Sequence, residues 1–163
     1  MLCEGAMADW SGVYFQKVVQ SGSFTTVGYV AFTLTMAAGR FMGDWLVTKH
    51  GVKRILQLSG VLISSGLMIA VILPNLVAAT GGFLLVGFGV SSVVPIVYSM
   101  AGKSEKMSPS AALAAVSTIS FLGFLIGPPL IGFIAELSNL RFSFSLIALL
   151  GFGTTILAAK VKV

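Results

Sequence analysis

Near the start of the chain lie two acidic side chains and three aromatic or amide side chains. Their types and spacing would allow them to bind a polar solute or a proton. Glu4 and Asp9 are the acids, and Trp10, Tyr14 and Gln16 provide stacking and hydrogen-bonding groups. Five residues turn a helix by about 140°, so the two acids cannot share one narrow stripe. We expect Glu4 to be the deeper, cavity-lining group and Asp9 to lie near the interface. The alternative is that both acids lie near an aqueous helix end, with Trp10 in an aromatic belt.

A second polar group follows in the sequence GRFMGDWLVTKHGVKR at 39–54. Its candidate functional residues are Arg40, Gly43, Asp44, Gly51, Lys53 and Arg54. His50 lies among them without a nucleophile at a suitable spacing, so we expect a solvated loop histidine and no enzyme. One Cys and one His in the whole chain are too few for a zinc cluster. No metal and no cofactor are expected.

The composition indicates that membrane-spanning helices position these groups. The chain has 163 residues, of which 56% are hydrophobic and 9% charged, whereas soluble domains are about 25% charged. No charged residue occurs in 55–102, 107–135 or 142–159, and about 20 apolar residues suffice for a helix to cross a bilayer. A soluble domain is excluded. The basic residues are scattered singly, so no nucleic-acid partner is expected.

The apolar runs predict an all-α fold, a polytopic transmembrane bundle of about six helices in a single domain over 1–163. The turn signal Leu73-Pro74-Asn75 divides the longest run. The predicted spans are 1–19, 25–46, 55–73, 76–101, 111–135 and 142–159. The first span is too charged to face lipid and lacks the features of a signal peptide. It is either a polar-lined helix inside the bundle or the end of a longer helix cut by the start of this chain.

The distribution of basic residues predicts the orientation. One side of the predicted bundle carries Arg40, Lys49, Lys53, Arg54, Lys103, Lys106, Lys160 and Lys162, and the other carries Lys17 and Arg141. The side richer in Lys and Arg is normally cytoplasmic. We therefore expect the loops at 49–54 and 102–110 and the C-terminus to lie in the cytoplasm.

Small residues and prolines are frequent within the predicted spans. The positions of interest are Pro95, Gly123, Gly127, Pro128, Pro129 and Gly132. Because lipid gives little hydrophobic drive between helices, close approach through glycine holds such bundles together. The prolines either accompany this packing or mark helices that bend during gating.

Several stretches, in order, resemble the major facilitator superfamily. The 39–54 stretch resembles its cytoplasmic loop signature. Residues 4–11 are similar to the seventh helix of a sugar-permease-like branch that includes fucose-permease relatives. Residues 123–135 are similar to the eleventh helix of that branch, and 140–144 to the turn before its last helix. The resemblance implies half of a major-facilitator fold, from the end of helix seven to helix twelve.

The same resemblance implies roles for the loop signature. Asp44 would be the acid that latches neighbouring helix ends, and Gly51 the turn glycine. Lys53 and Arg54 would be the basic pair that stabilises one access state together with Asp44.

The function that the resemblance implies is secondary active transport of a small polar solute, with a sugar as the first substrate class. The solute would cross by alternating access. Symport with protons is a separate hypothesis, which rests on Glu4. Its partners would be the solute, the lipid bilayer and a missing N-terminal half or a second chain, in a bacterial inner membrane. Two copies could also pair, or the chain could be a truncated product that does not transport. The alternative function is a non-transporting membrane bundle that acts in assembly or partner binding.

Overall fold

The helices of the structure follow the apolar runs of the sequence closely. The computed structural model describes residues 1–104 and 107–160. These residues form α1 (Leu2–Lys17), α2 (Val27–His50), α3 (Val52–Ile72), α4 (Leu76–Gly102), α5 (Pro109–Leu137) and α6 (Leu140–Lys160). A single 3₁₀ turn, Gly22–Phe24, precedes α2, and the described residues contain no β-strand. The prediction of an all-α bundle with six helices is confirmed.

Short connections make each helix antiparallel to the next. The turn before α4 falls at Leu73-Pro74-Asn75, where the sequence predicts it. There the Asn75 side chain accepts a hydrogen bond of 2.8 Å from the backbone N–H of Ala78 and caps α4. The Ser108 hydroxyl accepts from the N–H of Ala111 in the same way, at 3.4 Å, and caps α5.

The predicted loop at 49–54 is wrong, because α2 and α3 are separated by Gly51 alone. Gly51 has φ of 81° and ψ of 152°, a backbone conformation open essentially only to glycine. One residue therefore reverses the chain. His50 ends α2, and Lys53 and Arg54 belong to the first turn of α3, so none of the three is a loop residue.

The basic residues gather at two unequal ends of the bundle. We call the end with Gly51 the basic end; its members among the described residues are Lys49, Lys53, Arg54, Lys103 and Lys160. Lys17 and Arg141 lie at the opposite end. Arg40, which the sequence also assigns to the basic side, lies ten residues before the end of α2, about 15 Å from the basic end. Lys106 and Lys162, assigned to the same side, lie outside the described residues.

Helix α4 is the centre of the packing, since it contacts both α2 and α3 along most of its length. Helix α6 covers the other side of α3, and α5 packs mainly on α1. Helices α3 and α4 approach each other through glycine, since a Cβ on Gly66 would overlap the carbonyl oxygen of Gly82. Pro95 lies inside α4, and Pro128 and Pro129 lie inside α5, and both helices continue through them.

Four helices, α3 to α6, are each long and apolar enough to cross a bilayer. Helix α5 is the least enclosed of the four and exposes large apolar side chains along its length. These include Ile119, Phe121, Leu122, Leu125, Ile126 and Phe133. Such a surface suits lipid or another apolar partner and not water.

Candidate functional site

A carboxylate and a guanidinium meet at mid-depth of the bundle. Glu4 on α1 and Arg40 on α2 each lie about 20 Å from the Lys17 end at 1.5 Å per residue. Arg40 is about 15 Å from His50 at the basic end. Atom Nη2 of Arg40 is 3.6 Å from Oε1 of Glu4. Counted along the two helices, the opposite-charge pair therefore lies somewhat nearer the basic end than the Lys17 end.

The two partners of this pair differ in exposure. The Glu4 side chain is 11% exposed, and the Arg40 side chain is 51% exposed. The second oxygen of Glu4, Oε2, lies 3.0 Å from the α-amino group of Met1. Nη2 of Arg40 also lies 3.9 Å from the sulfur of Met36. Since a guanidinium has five N–H donors, most of those of Arg40 are left for another acceptor.

A cavity of about 270 Å³ lies between α2 and α4, in the half of the bundle nearer the basic end. Its polar lining comprises Arg40, Asp44, Thr48, Ser91, Ser92, Ser99 and Lys103. Its apolar wall includes Val47, Pro95, Ile96 and Met100. We call this space the α2–α4 cavity. Guanidinium, ammonium, carboxylate and hydroxyl groups thus converge in one place within an apolar bundle.

Two glycines on α2 allow the serines of α4 to approach α2 closely. A Cβ on Gly39 would overlap the hydroxyl of Ser91, and a Cβ on Gly43 would lie 3.6 Å from the hydroxyl of Ser92. Ser91 Oγ donates to the carbonyl oxygen of Phe88 at 2.6 Å. Because that proton is used within α4, the hydroxyl keeps its lone pairs for a donor in the cavity.

The residues of the loop signature surround the basic end without forming a latch in this conformation. Asp44, Lys53 and Arg54 are exposed. Within the described residues no ion pair of 4 Å or less joins Asp44 to either basic group. Asp44 instead lines the α2–α4 cavity together with Lys103.

Trp10 is held by α5 and not by the α2–α4 cavity. Its Nε1–H donates to the carbonyl oxygen of Pro128 at 2.9 Å. Gly132 makes room for the indole, since a Cβ there would lie 2.8 Å from Cζ2 of Trp10. Trp10 and the exposed Asp9 line a separate open groove beside Pro128 and Pro129. Gly127, the residue directly before Pro128, receives the backbone of Leu2.

Tyr14 is fully buried, so its ring faces neither groove nor α2–α4 cavity. Its hydroxyl donates to the carbonyl oxygen of Ala70 at 2.7 Å. The Tyr14 and Phe144 ring centroids are 4.7 Å apart, and Phe83 completes the cluster. This environment gives Tyr14 a packing role between α1, α3 and α6. Gln16 is exposed near the end of α1.

The structure thus brings Glu4 to Arg40 and separates both from the other candidates of the first helix. The α4 residues Ser91 and Ser92 were not anticipated from the sequence as part of a site. Two adjacent serines in the middle of an apolar span are the signal that could have identified them. The approach of Gly39 to Ser91 could not be read from either helix alone.

A family model of the major facilitator superfamily matches residues 6–162. The chain belongs to the major facilitator superfamily. An MFS-type transporter of Yersinia pestis is 43% identical over 151 residues, which cover 91% of this chain and 39% of that protein. The membrane protein MosC of Rhizobium meliloti is 40% identical over 137 residues, covering 83% and 34%. A transporter of Sinorhizobium fredii is 31% identical over 162 residues, covering 99% and 43%.

Membership of this superfamily, with four bilayer-length apolar helices, makes the chain an integral membrane protein. The chain spans about 34–43% of the length of these three relatives. Their names describe transporters and a membrane protein and state no solute. The superfamily resemblance is confirmed, whereas the sugar-permease-like branch stays a prediction. No solved structure matches the chain.

Proposed function

We propose that this bundle is one half of a secondary active transporter that moves a small polar solute by alternating access, in symport with protons. The observation that carries the proposal is the Glu4–Arg40 pair, which lies at mid-depth between α1 and α2. Charged side chains in a membrane-spanning bundle are costly and generally serve a solute or proton pathway. The superfamily match and the transporter relatives support the same function.

The exposure of Arg40 supports a second half on this side of the bundle. A guanidinium that is 51% exposed within a membrane-spanning bundle cannot face lipid without a large free-energy cost. We therefore place a water-filled pathway or a second six-helix unit against this face of α2. The second unit is an N-terminal half, another chain or a second copy, since major-facilitator proteins combine two halves around a midplane site.

Roles follow for the other polar groups. Glu4 carries the proton, because it is the buried carboxylate at mid-depth. Asp44, Gly51, Lys53 and Arg54 form the gate at the basic end, which faces the cytoplasm of a bacterial inner membrane. Their ion pairs belong to another access state, in which a second half lies against them.

Proton-coupled uptake tests the proposal. Cells that express the protein are suspended in weak buffer, and external pH is recorded after addition of L-fucose, D-glucose and their uronic acids in turn. We expect one of these solutes to cause alkalinisation as protons enter with it. In Glu4→Gln this proton movement is lost, while exchange of labelled solute across the membrane persists, because the site still binds but cannot load a proton.

The matched control is Glu136→Gln, the same chemical change on the exposed last turn of α5. This variant should keep the proton movement of the parent protein. Solute-driven alkalinisation that survives in Glu4→Gln would contradict a proton-carrying role for Glu4.

The exposed apolar face of α5 supports the second candidate function, a non-transporting bundle that acts in assembly. Its large side chains, such as Phe121, Leu125 and Phe133, are more than half exposed. Reconstituted protein that shows neither uptake nor solute-dependent stabilisation, but co-purifies with one specific membrane protein, would favour this function over transport.

A further inference from the structure

Arg40 has unused hydrogen-bond donors and lines a polar cavity, and this combination specifies the chemistry of a ligand. We propose that the α2–α4 cavity binds a carboxylate-bearing solute through Arg40, so that the transported class is sugar acids and similar small organic anions. This inference rests on the proposed transport function and narrows its substrate class. A neutral sugar would leave the guanidinium with the 3.6 Å contact to Glu4 as its only anionic partner among the described residues.

The first argument is the geometry of the existing pair. Charge-assisted N–H···O bonds are about 2.7–2.9 Å long, whereas the Glu4–Arg40 contact is 3.6 Å and involves Nη2 alone. Glu4 thus neutralises Arg40 only in part. The planar fork of an arginine binds a carboxylate through two parallel N–H donors, and no carboxylate in the described residues takes up that arrangement.

The second argument is the charge and hydroxyl content of the cavity. Its lining carries two cations, Arg40 and Lys103, and one anion, Asp44. Glu4, 3.6 Å from Arg40, adds a second anion beside this wall. With the proton that Glu4 carries in the proposed function, one positive charge is left uncompensated, and an anionic solute would balance it. Ser91 and Thr48 donate their hydroxyl protons to backbone carbonyl oxygens of their own helices, so their lone pairs can accept from solute hydroxyls.

The third argument is size. The volume of about 270 Å³ lies near the lower limit of ligand pockets, about 300 Å³. A monosaccharide acid suits such a space, with its carboxylate at Arg40 and its hydroxyls along α4. The apolar wall at Pro95 and Ile96 leaves the opposite face of the ring without a polar partner.

Ligand-dependent thermal unfolding of the purified protein tests the inference. D-glucuronate and D-galacturonate are compared with D-glucose and D-galactose, which differ from them only at the carboxylate. We expect the acids to raise the melting temperature and the neutral sugars to leave it unchanged. Arg40→Gln should weaken acid binding at least about tenfold, and Arg40→Lys should weaken it less because it keeps the charge without the fork.

Two further variants separate binding from coupling. Glu4→Gln should bind the acids as tightly as the parent protein or more tightly, because it removes the carboxylate that competes for Arg40. Arg141→Gln, the same change as Arg40→Gln at the opposite end of the bundle, should keep the full shift. If Glu4→Gln binds the acids more weakly than the parent does, the inference that Glu4 competes with the solute for Arg40 is wrong.

The outcomes distinguish this inference from the transport function. Stabilisation by neutral hexoses as strong as by the acids overturns the carboxylate assignment and leaves proton-coupled transport intact. Stabilisation by phosphatidylglycerol, dependent on Arg40 and without any effect of the acids, shows a lipid phosphate in the cavity and overturns a soluble solute there. If the affinity for the acids is unchanged in both Arg40 variants, Arg40 is not the binding group and the proposed site is wrong.

Discussion

Two adjacent glycines on α4 should respond in opposite directions to the same substitution. A Cβ on Gly82 would overlap the carbonyl oxygen of Gly66 and lie 3.3 Å from the backbone nitrogen of Ala70, whereas a Cβ on Gly81 meets nothing within 4 Å. Both Gly82→Ala and Gly81→Ala improve helix propensity by up to about 1 kcal/mol. Only Gly82→Ala must also force α3 and α4 apart.

The size of the destabilisation by Gly82→Ala follows from the atoms that oppose the new methyl group. The opposing atoms on α3 belong to the backbone, so no side-chain rotation relieves the overlap. Overpacking costs about 1–3 kcal/mol, and we take about 3 kcal/mol because a whole helix must move. After the propensity gain, Gly82→Ala is less stable than the parent by about 2 kcal/mol. Gly81→Ala is more stable by up to about 1 kcal/mol.

Thermal unfolding in a mild detergent measures this difference. A change of 1 kcal/mol moves the melting temperature by about 2–4 °C for a chain of this size. We expect Gly82→Ala to melt about 4–8 °C below the parent and Gly81→Ala at or slightly above it. The reasoning is refuted if the two variants melt together, since the close backbone approach of α3 and α4 would then contribute nothing measurable.

The hydrogen bonds of Trp10 and Tyr14 lead to two further predictions. Trp10→Phe keeps an aromatic ring over Gly132 but removes the N–H that donates to the carbonyl oxygen of Pro128. We therefore expect the free energy of unfolding, measured by detergent denaturation, to fall by about 0.5–1.5 kcal/mol. An unchanged denaturation midpoint would show that this hydrogen bond is not formed. Tyr14→Phe removes the buried donor to the carbonyl oxygen of Ala70 and should also cost about 1 kcal/mol, with no effect on binding of any solute. A change in solute affinity in Tyr14→Phe would place its hydroxyl in the solute pathway instead.

The number and limits of the helices could be predicted from the sequence because they depend on local properties. The length of an apolar run sets the length of a span, and the Leu73-Pro74-Asn75 signal sets the break between α3 and α4. The local pattern was misleading at 49–54, where a cluster of charged residues indicates a loop. There the conformational freedom of Gly51 lets both helices continue to within one residue of each other.

The candidate site was predictable only in part. The helical period predicts that Glu4 and Asp9 cannot share one stripe, and the structure buries Glu4 while leaving Asp9 exposed. The period alone does not say which of the two is buried. The aromatic residues Trp10 and Tyr14 were grouped with them because all lie on one short helix. Neighbours in sequence occupy different faces of a helix, however, and the structure directs these two rings to α5 and to the core.

The sequence by itself determined the membrane class, the superfamily and the six helices, since hydrophobicity and motif order need no knowledge of how helices pack. Tertiary structure alone decided which glycines touch backbone, that Arg40 meets Glu4, and that the serines of α4 face Asp44 across a cavity. The reason is physical. The partner of each helix face depends on the rotation and spacing of helices far apart in the chain, as with Tyr14 and Ala70, which are 56 residues apart.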